Sequence, residues 1–369
     1  MKFVDEFRNS EAVLAMSSEM RRIATRPWRI MEVCGGQTHT ILRFGLDSLL
    51  PPGVAMIHGP GCPVCVTPVE SIEEAVAVSR LPGAVLCSFG DMLRVPGGME
   101  TLASARASGG EVRVVYSPLD AMEMASVEPG RQFVFFAVGF ETTAPVTAAA
   151  VLLARRRRIS DFSLLCSHVR VPPAVETLLS RPGPGIEALV APGHVCTVMG
   201  CGEYEELSNR YGVPVAVTGF EPVDLMQGIL MCLERLEEGR AGVDVQYSRS
   251  VKPEGNTEAR RLMDEVFEVV DRRWRGLGTI PGGGLDLREE FHDMDASRRF
   301  GISVTAPEDD ARCMAGRVLS GSMSPADCPW FGGECSPEHP LGAPMVSSEG
   351  ACTAYHRYRP PAGRNAGDG

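Results

Sequence analysis

The sequence predicts an α/β fold in which two similar domains of parallel strands precede a third, mostly helical and loop-rich domain. Three observations lead there. Eight short apolar, β-rich runs alternate with helical patterns, which is how βαβ units with strands covered on both faces are written. Nearly every run leads directly into a cluster of Gly, Pro, His, Cys or acidic residues, and open α/β sheets bind ligands beyond the carboxyl ends of their strands. The C-terminal third abandons that alternation for Gly- and Pro-rich stretches that carry four cysteines.

Taken in order, residues 1–29 form an N-terminal helical segment expected to pack with the C-terminal domain. Four strands follow in a first domain, residues 30–120: Ile30–Val33, Val54–Ile57, Ala84–Phe89 and Val112–Tyr116. A connection with Pro118, Pro129 and Gly130 leads to the second domain, residues 121–224, with strands at Phe133–Val138, Phe162–Cys166, Ala188–Ala191 and Val213–Val217. The two sets of four suggest Rossmann-like domains that face each other. From 225 to 369 the pattern turns helical, over Leu225–Glu238 and from a cap at Asn256 to about Arg275. Gly276–Leu285 and Pro325–Pro344 show little periodicity, and the polar tail Pro360–Gly369 is expected to fray.

Composition narrows the function. With 44% hydrophobic and 22% charged residues the 369-residue chain can bury a core. Its 36 basic against 47 acidic residues, net −11, argue against a nucleic-acid backbone as partner. The charged start, Met1-Lys-Phe-Val-Asp-Glu, lacks a signal-peptide pattern, and the most apolar stretch, Phe133–Ala154, carries Glu141 and Pro145. No membrane span is expected, and the cytoplasm is the expected compartment. In a reducing compartment twelve cysteines point to metal or redox chemistry rather than a disulfide framework.

Four groups of residues could carry chemistry. In Glu32-Val-Cys-Gly-Gly-Gln-Thr-His-Thr40 the glycine pair suits a tight turn, and Cys34 falls near a helix N-terminus, where a thiolate is favoured. His39 could ligate a metal or move a proton. In His58-Gly-Pro-Gly-Cys-Pro-Val-Cys65 the pair Cys62 and Cys65 could close a disulfide, share a metal or present a reactive thiolate. Cys313, Cys328, Cys335 and Cys352 suit a tetrathiolate site for zinc or a [4Fe–4S] cluster, with Trp330 and Phe331 available to exclude water. In the second set of strands, Glu141, His168, His194 and Glu221 all sit on strand-end loops and could converge on one cleft. Cys87, Cys166, Cys201, Cys232 and Met122–Met124 read as core, and Arg155–Arg158 as a solvated helix C-terminus.

Together, Cys-Gly-Gly-Gln-Thr-His39, Gly-Pro-Gly-Cys-Pro-Val-Cys65, Gly-Phe-Glu-Thr-Thr-Ala-Pro145, Pro-Gly-His-Val-Cys196, Gly-Phe-Glu-Pro222 and Met-Val-Ser-Ser-Glu-Gly-Ala-Cys352 closely resemble the HypD family of [NiFe]-hydrogenase maturation proteins, over about residues 30–356. The resemblance implies a scaffold, formed with the small chaperone HypC, on which iron acquires two cyanides and a carbon monoxide before delivery to the hydrogenase large subunit. HypE, working with HypF, would supply the cyanide. It implies that Cys34 ligates the iron with His39 beside it and that Cys62 and Cys65 face the same cleft as a redox pair or as iron ligands; Glu141, His168 and His194 are expected to help hold the cleft's charge. Cys313, Cys328, Cys335 and Cys352 would bind the [4Fe–4S] cluster, and cluster and dithiol would supply electrons. The competing class is an iron–sulfur thiol–disulfide oxidoreductase of the ferredoxin–thioredoxin reductase type, which has no need of Cys34.

Overall fold

The computed structural model describes residues 5–182, 185–305 and 309–359, so the tail expected to fray lies outside the described residues. All eight expected strands are present: β1 (Trp28–Glu32), β2 (Val54–His58), β3 (Ala84–Ser88), β4 (Val112–Val114), β5 (Gln132–Gly139), β6 (Phe162–His168), β7 (Ala188–Pro192) and β8 (Pro214–Thr218). Three more follow: β9 (Gly242–Val245), β10 (Phe267–Trp274) and β11 (Gly278–Leu287).

The strands do not sort into the two consecutive sets of four. One parallel sheet has the order β2-β1-β7-β8-β9 and the other the order β4-β3-β5-β6. The chain lays down β1 and β2, crosses to build the whole second sheet, then returns. Ile30 on β1 thus pairs with Met56 on β2 and with Ala188 on β7. Divisions at 120/121 and 224/225 do not follow the sheets, because apolar periodicity marks a strand without naming its neighbour.

Alternation explains why each run reads as continuously apolar. In the first sheet Met31, Leu189 and Val215 enter one core while Ile30, Val190 and Ala216 enter the core on the opposite face. In the second, Phe133 and Phe135 face one core, and Val134 and Phe136 the other. Each of the larger side chains among them stabilises by about 1.5–3 kcal/mol relative to exposure. Cys87, Cys201 and Cys232 are buried as expected and Cys166 half-buried.

The Ser10–Ile23 helix packs on the Pro222–Glu237 helix, which itself covers β7 and β8. The N-terminal segment is therefore tied to the first sheet, and so are the residues up to β9. The helix capped by Asn256, whose Oδ1 accepts from the Ala259 amide (3.0 Å), ends at Val266 rather than near Arg275. Its expected second half is β10, antiparallel to β11. Aromatic and β-branched Phe267, Val269, Val270 and Trp274 outweigh the helical charge pattern, and the glycines of β11 had masked its periodicity. The hairpin is anchored by the fully buried Trp274, whose Nε1 donates to the Gly283 carbonyl (2.9 Å) and whose ring lies 6.0 Å from that of Phe140. No helix of the described residues is long and apolar enough to cross a membrane.

Trp274→Ala is expected to cost about 3–5 kcal/mol. Equilibrium chemical denaturation measures it; a cost below about 1 kcal/mol would mean that the hairpin is not seated through this ring.

Candidate functional site

The carboxyl ends of both sheets open onto one cleft of about 310 Å³. Cys34, Gly61, Pro63 and His194 line it from the first sheet, Asp91, Phe140, Thr142 and Thr143 from the second, and Ser347 and Glu349 from the C-terminal region.

Cys34 caps the Gly35–Arg43 helix with an extended backbone, and its carbonyl accepts from the amides of Gln37 (2.9 Å) and Thr38 (3.0 Å). Its position is set from below by Glu32. That carboxylate is wholly buried at the end of β1 and accepts three bonds: from the Cys34 amide (2.8 Å), from the Thr38 hydroxyl, and from Nδ1 of His58 at the end of β2 (2.7 Å). Gln37 ties the same helix across the sheet, its Nε2 donating to the Ala191 carbonyl (3.1 Å) and the Thr218 hydroxyl (2.8 Å).

The glycines of the two N-terminal motifs work by close approach. Gly35 sits inside the helix, and a Cβ there would overlap Glu349. A Cβ on Gly61 would overlap the Cys34 amide nitrogen and Cα, and the Gly61 carbonyl accepts from the Gly35 amide (2.9 Å). The expectation of a tight turn at Gly35-Gly36 gives way to backbones in direct contact, which ties the Cys34 loop to the loop of Cys62 and Cys65.

Cys62 and Cys65 are joined as a disulfide across the start of the Pro63–Val66 helix, 5.3 Å apart at Cα, and both are buried just beneath the cleft. Of the three N-terminal cysteines only Cys34 carries a free thiol. That thiol is not the favoured thiolate expected of a helix N-terminus. Burial, with Glu32 adding to it, pushes it up to about 12 against the pull of the Gly36 and Gln37 amides. Desolvation outweighs the helix end here.

The other expected residues separate. His194 is in the cleft wall, stacked on Phe220 at 3.9 Å, and burial lowers its pKa. Glu141 lies behind the wall, where Oε1 accepts from the Val171 amide (3.0 Å), Oε2 is unpartnered, and burial raises the carboxyl to about 7. His168 is buried with Nε2 against the Thr147 hydroxyl (3.2 Å), and burial drops it to about 4. His39 turns away from Cys34 to meet the Tyr358 hydroxyl (3.1 Å). Glu221 pairs with Arg8 at the surface (2.9 Å). The expected convergence holds for His194 alone.

Two acidic residues of the wall, Asp91 and Glu349, went unassigned in the sequence. Burial raises the Glu349 pKa, and Asp91 adds to it. Glu32 and His58 stood within the quoted motifs without a role; the signal was a carboxylate closing an otherwise apolar strand, which must find donors when buried.

Cys313, Cys328, Cys335 and Cys352 share one pocket walled by Met314, Val318, Trp330, Phe331, Leu341 and Met345. Backbone bonds from Phe331 to Cys328 (3.0 Å) and from Cys335 to Trp330 (2.9 Å) close the loop between the middle two. Burial raises the Cys352 thiol, and its three partners raise it further. Four sulfurs in apolar walls form a soft donor set that suits an iron–sulfur cluster or zinc. No three His, Cys, Asp or Glu side chains of the described residues are arranged to hold a single metal ion. One segment joins both sites: Gly342, Pro344 and Met345 line the cysteine pocket, Ser347 and Glu349 the cleft, and Cys352 the pocket again. Its Ala343–Met345 turn packs on the Pro63–Val66 helix that carries the disulfide.

The family model described as HypD, hydrogenase formation hypA family, matches residues 11–359. The chain belongs to the HypD family. Hydrogenase maturation factor HypD2 of Bradyrhizobium diazoefficiens is 44% identical over 368 residues, covering 97% of each chain. Hydrogenase maturation factor HypD of Azotobacter vinelandii is 44% identical over 367 residues, again covering 97% of each. The HypD of Escherichia coli is 44% identical over 367 residues, covering 97% of this chain and 98% of its own.

Two outcomes follow for the site. Gly61→Ala should destabilise by about 1–3 kcal/mol through overpacking and speed alkylation of Cys34; unchanged denaturation and alkylation would mean that the two loops are not locked together. His168 and Glu141 titrate with opposite consequences. His168 falls from the ordinary 6.5 to about 4, so the unfolded chain binds more protons between those values and stability drops on acidification. Glu141 rises from 4.5 to about 7, so its contribution drops as pH increases through that range. The two offset between pH 4.5 and 6.5. Relative to the unaltered chain, His168→Gln should tilt the profile there toward stability falling with rising pH, and Glu141→Gln toward the reverse, each by about 1.4 kcal/mol per unit at most. Parallel pH profiles for the two variants would contradict this.

Proposed function

We propose that the protein is a cytoplasmic hydrogenase maturation factor that, with a HypC-type chaperone, forms the scaffold on which the Fe(CN)2CO unit is assembled. The observation that carries this reading is the free Cys34 thiol opening on a shared cleft, in a chain matched by the HypD family model over residues 11–359. The iron is cargo, received at Cys34 and passed on to the hydrogenase large subunit; HypE is the proposed cyanide donor.

The chain's own residues divide the work. Cys34 is held by Glu32 and offers a soft ligand to low-spin iron. Because its thiol is pushed up so far, iron must displace the proton, so loading is coupled to proton release. Asp91 and Glu349 in the wall offer carboxylates to receive it, and His194 on Phe220 narrows the mouth against water. Cys62 and Cys65 exchange two electrons and two protons between disulfide and dithiol beneath the same cleft. Cys313, Cys328, Cys335 and Cys352 would hold a [4Fe–4S] cluster, which when bound supplies electrons one at a time. The disulfide also suits a thiol–disulfide oxidoreductase, but that activity leaves Cys34 without a task.

Anaerobic copurification with a HypC partner from cells carrying the full maturation machinery tests the proposal. Expected are about four irons per chain for the cluster, a further iron with cyanide and carbonyl infrared bands, loss of those bands in Cys34→Ala, and failure of cyanide incorporation in Cys62→Ala. Bands undiminished in Cys34→Ala would overturn the scaffold assignment. Zinc in the four-cysteine pocket would overturn the cluster.

A further inference from the structure

A second cavity lies at the opposite end of the second sheet. It measures about 450 Å³ and is walled by Arg155, Arg158 and Arg299 over a floor of Ile159, Phe162 and Met294. The arginine run closing the Ala144–Arg157 helix is adequately explained as a complement to the helix end for Arg155–Arg157, but not for Arg158. That residue has φ +58, and it is the one positive-φ residue other than glycine among the described residues. Its amide donates to the Ala154 and Arg155 carbonyls, and the Ile159 amide to that of Ala154 (2.9 Å), a helix ending for which glycine is the preferred residue. A side chain stands where none is favoured, and its guanidinium meets no partner among the described residues. Arg299, from another element, reaches the Ser160 carbonyl (2.7 Å) but no carboxylate. The single acid of the wall, Asp293, is taken up by Arg155 (3.3 Å). Arg158 and Arg299, both exposed to solvent, are thus left without a carboxylate partner above a floor of Ile159, Phe162 and Met294, in a chain whose net charge is −11.

We infer that this cavity binds a phosphate monoester, its dianionic head between Arg158 and Arg299 and its organic part over Ile159 and Met294. Guanidinium groups suit the phosphate's geometry, and the volume falls in the range of small-molecule sites. The site is distinct from the cleft: Phe162 begins β6, whereas the cleft lies beyond the strands' carboxyl ends.

Arg158→Gly decides the matter because it relieves the backbone while removing the charge. Calorimetric titrations of the full chain would use inorganic phosphate and phenyl phosphate as probes, with Arg156→Ala, an equal charge change outside the cavity wall, as control. Expected are saturable binding to the unaltered chain, tighter for phenyl phosphate, kept in Arg156→Ala and weakened about tenfold or more in Arg158→Gly, whose thermal midpoint should be unchanged or higher. Equal affinity in the two variants, or no saturable binding to the unaltered chain, would overturn the inference. Arg299→Met should weaken binding as well, and a null effect there would overturn the two-arginine geometry.

Discussion

A single buried carboxylate organises the N-terminal half of the site. Glu32 has no exposure to water, and leaving such a group unpaired in a protein interior costs several kcal/mol. Its three donors come from the cysteine loop, from the helix that follows and from the neighbouring strand. The position of Cys34 therefore does not depend on its own side chain. The sulfur stays free because the backbone around it is fully committed.

This arrangement reverses the ordinary account of a reactive cysteine. A helix N-terminus lowers a thiol's pKa when water and a cation are near, but here burial takes the thiol out of water and the charge beneath it, Glu32, is negative. The result is a thiol that stays protonated, and a protonated thiol resists adventitious oxidation. The disulfide beneath the cleft contributes no competing thiol while it remains closed.

Much of this was legible in the sequence, for identifiable reasons. The central strands β3, β5, β6, β7 and β8 announce themselves because they are buried on both faces and so read as mostly apolar runs, while the edge strands β2 and β4 are short apolar runs with Ala55 and Val114 exposed. The four C-terminal cysteines could be grouped because nothing else in that stretch could order it. What stayed hidden was pairing. That β1 neighbours β7 rather than β3 leaves no trace in local periodicity. β10 was lost because its charges, Glu268, Asp271, Arg272 and Arg273, also fit a helix surface. At the site, motif membership drew attention to Cys34 and His194, which both line the cleft, yet it could not say that His39 would turn toward Tyr358 or that Glu141 would sit behind the wall, since side-chain direction is set by the tertiary packing of the loops.

The path of the chain between the sheets also bears on how the protein is born. β1 and β7 are hydrogen-bonded neighbours with residues 33–187 between them. On the ribosome, at about 5–20 residues per second, the Cys34 and Cys62/Cys65 loops emerge many seconds before the strand that completes their sheet, and longer still before the segment at Glu349 closes over Gly35. The second sheet can fold as an uninterrupted unit in that interval, while the first must wait with an open edge. Assembly of the cleft is thus a late event governed by the last third of the chain, and its walls close only when synthesis is nearly finished.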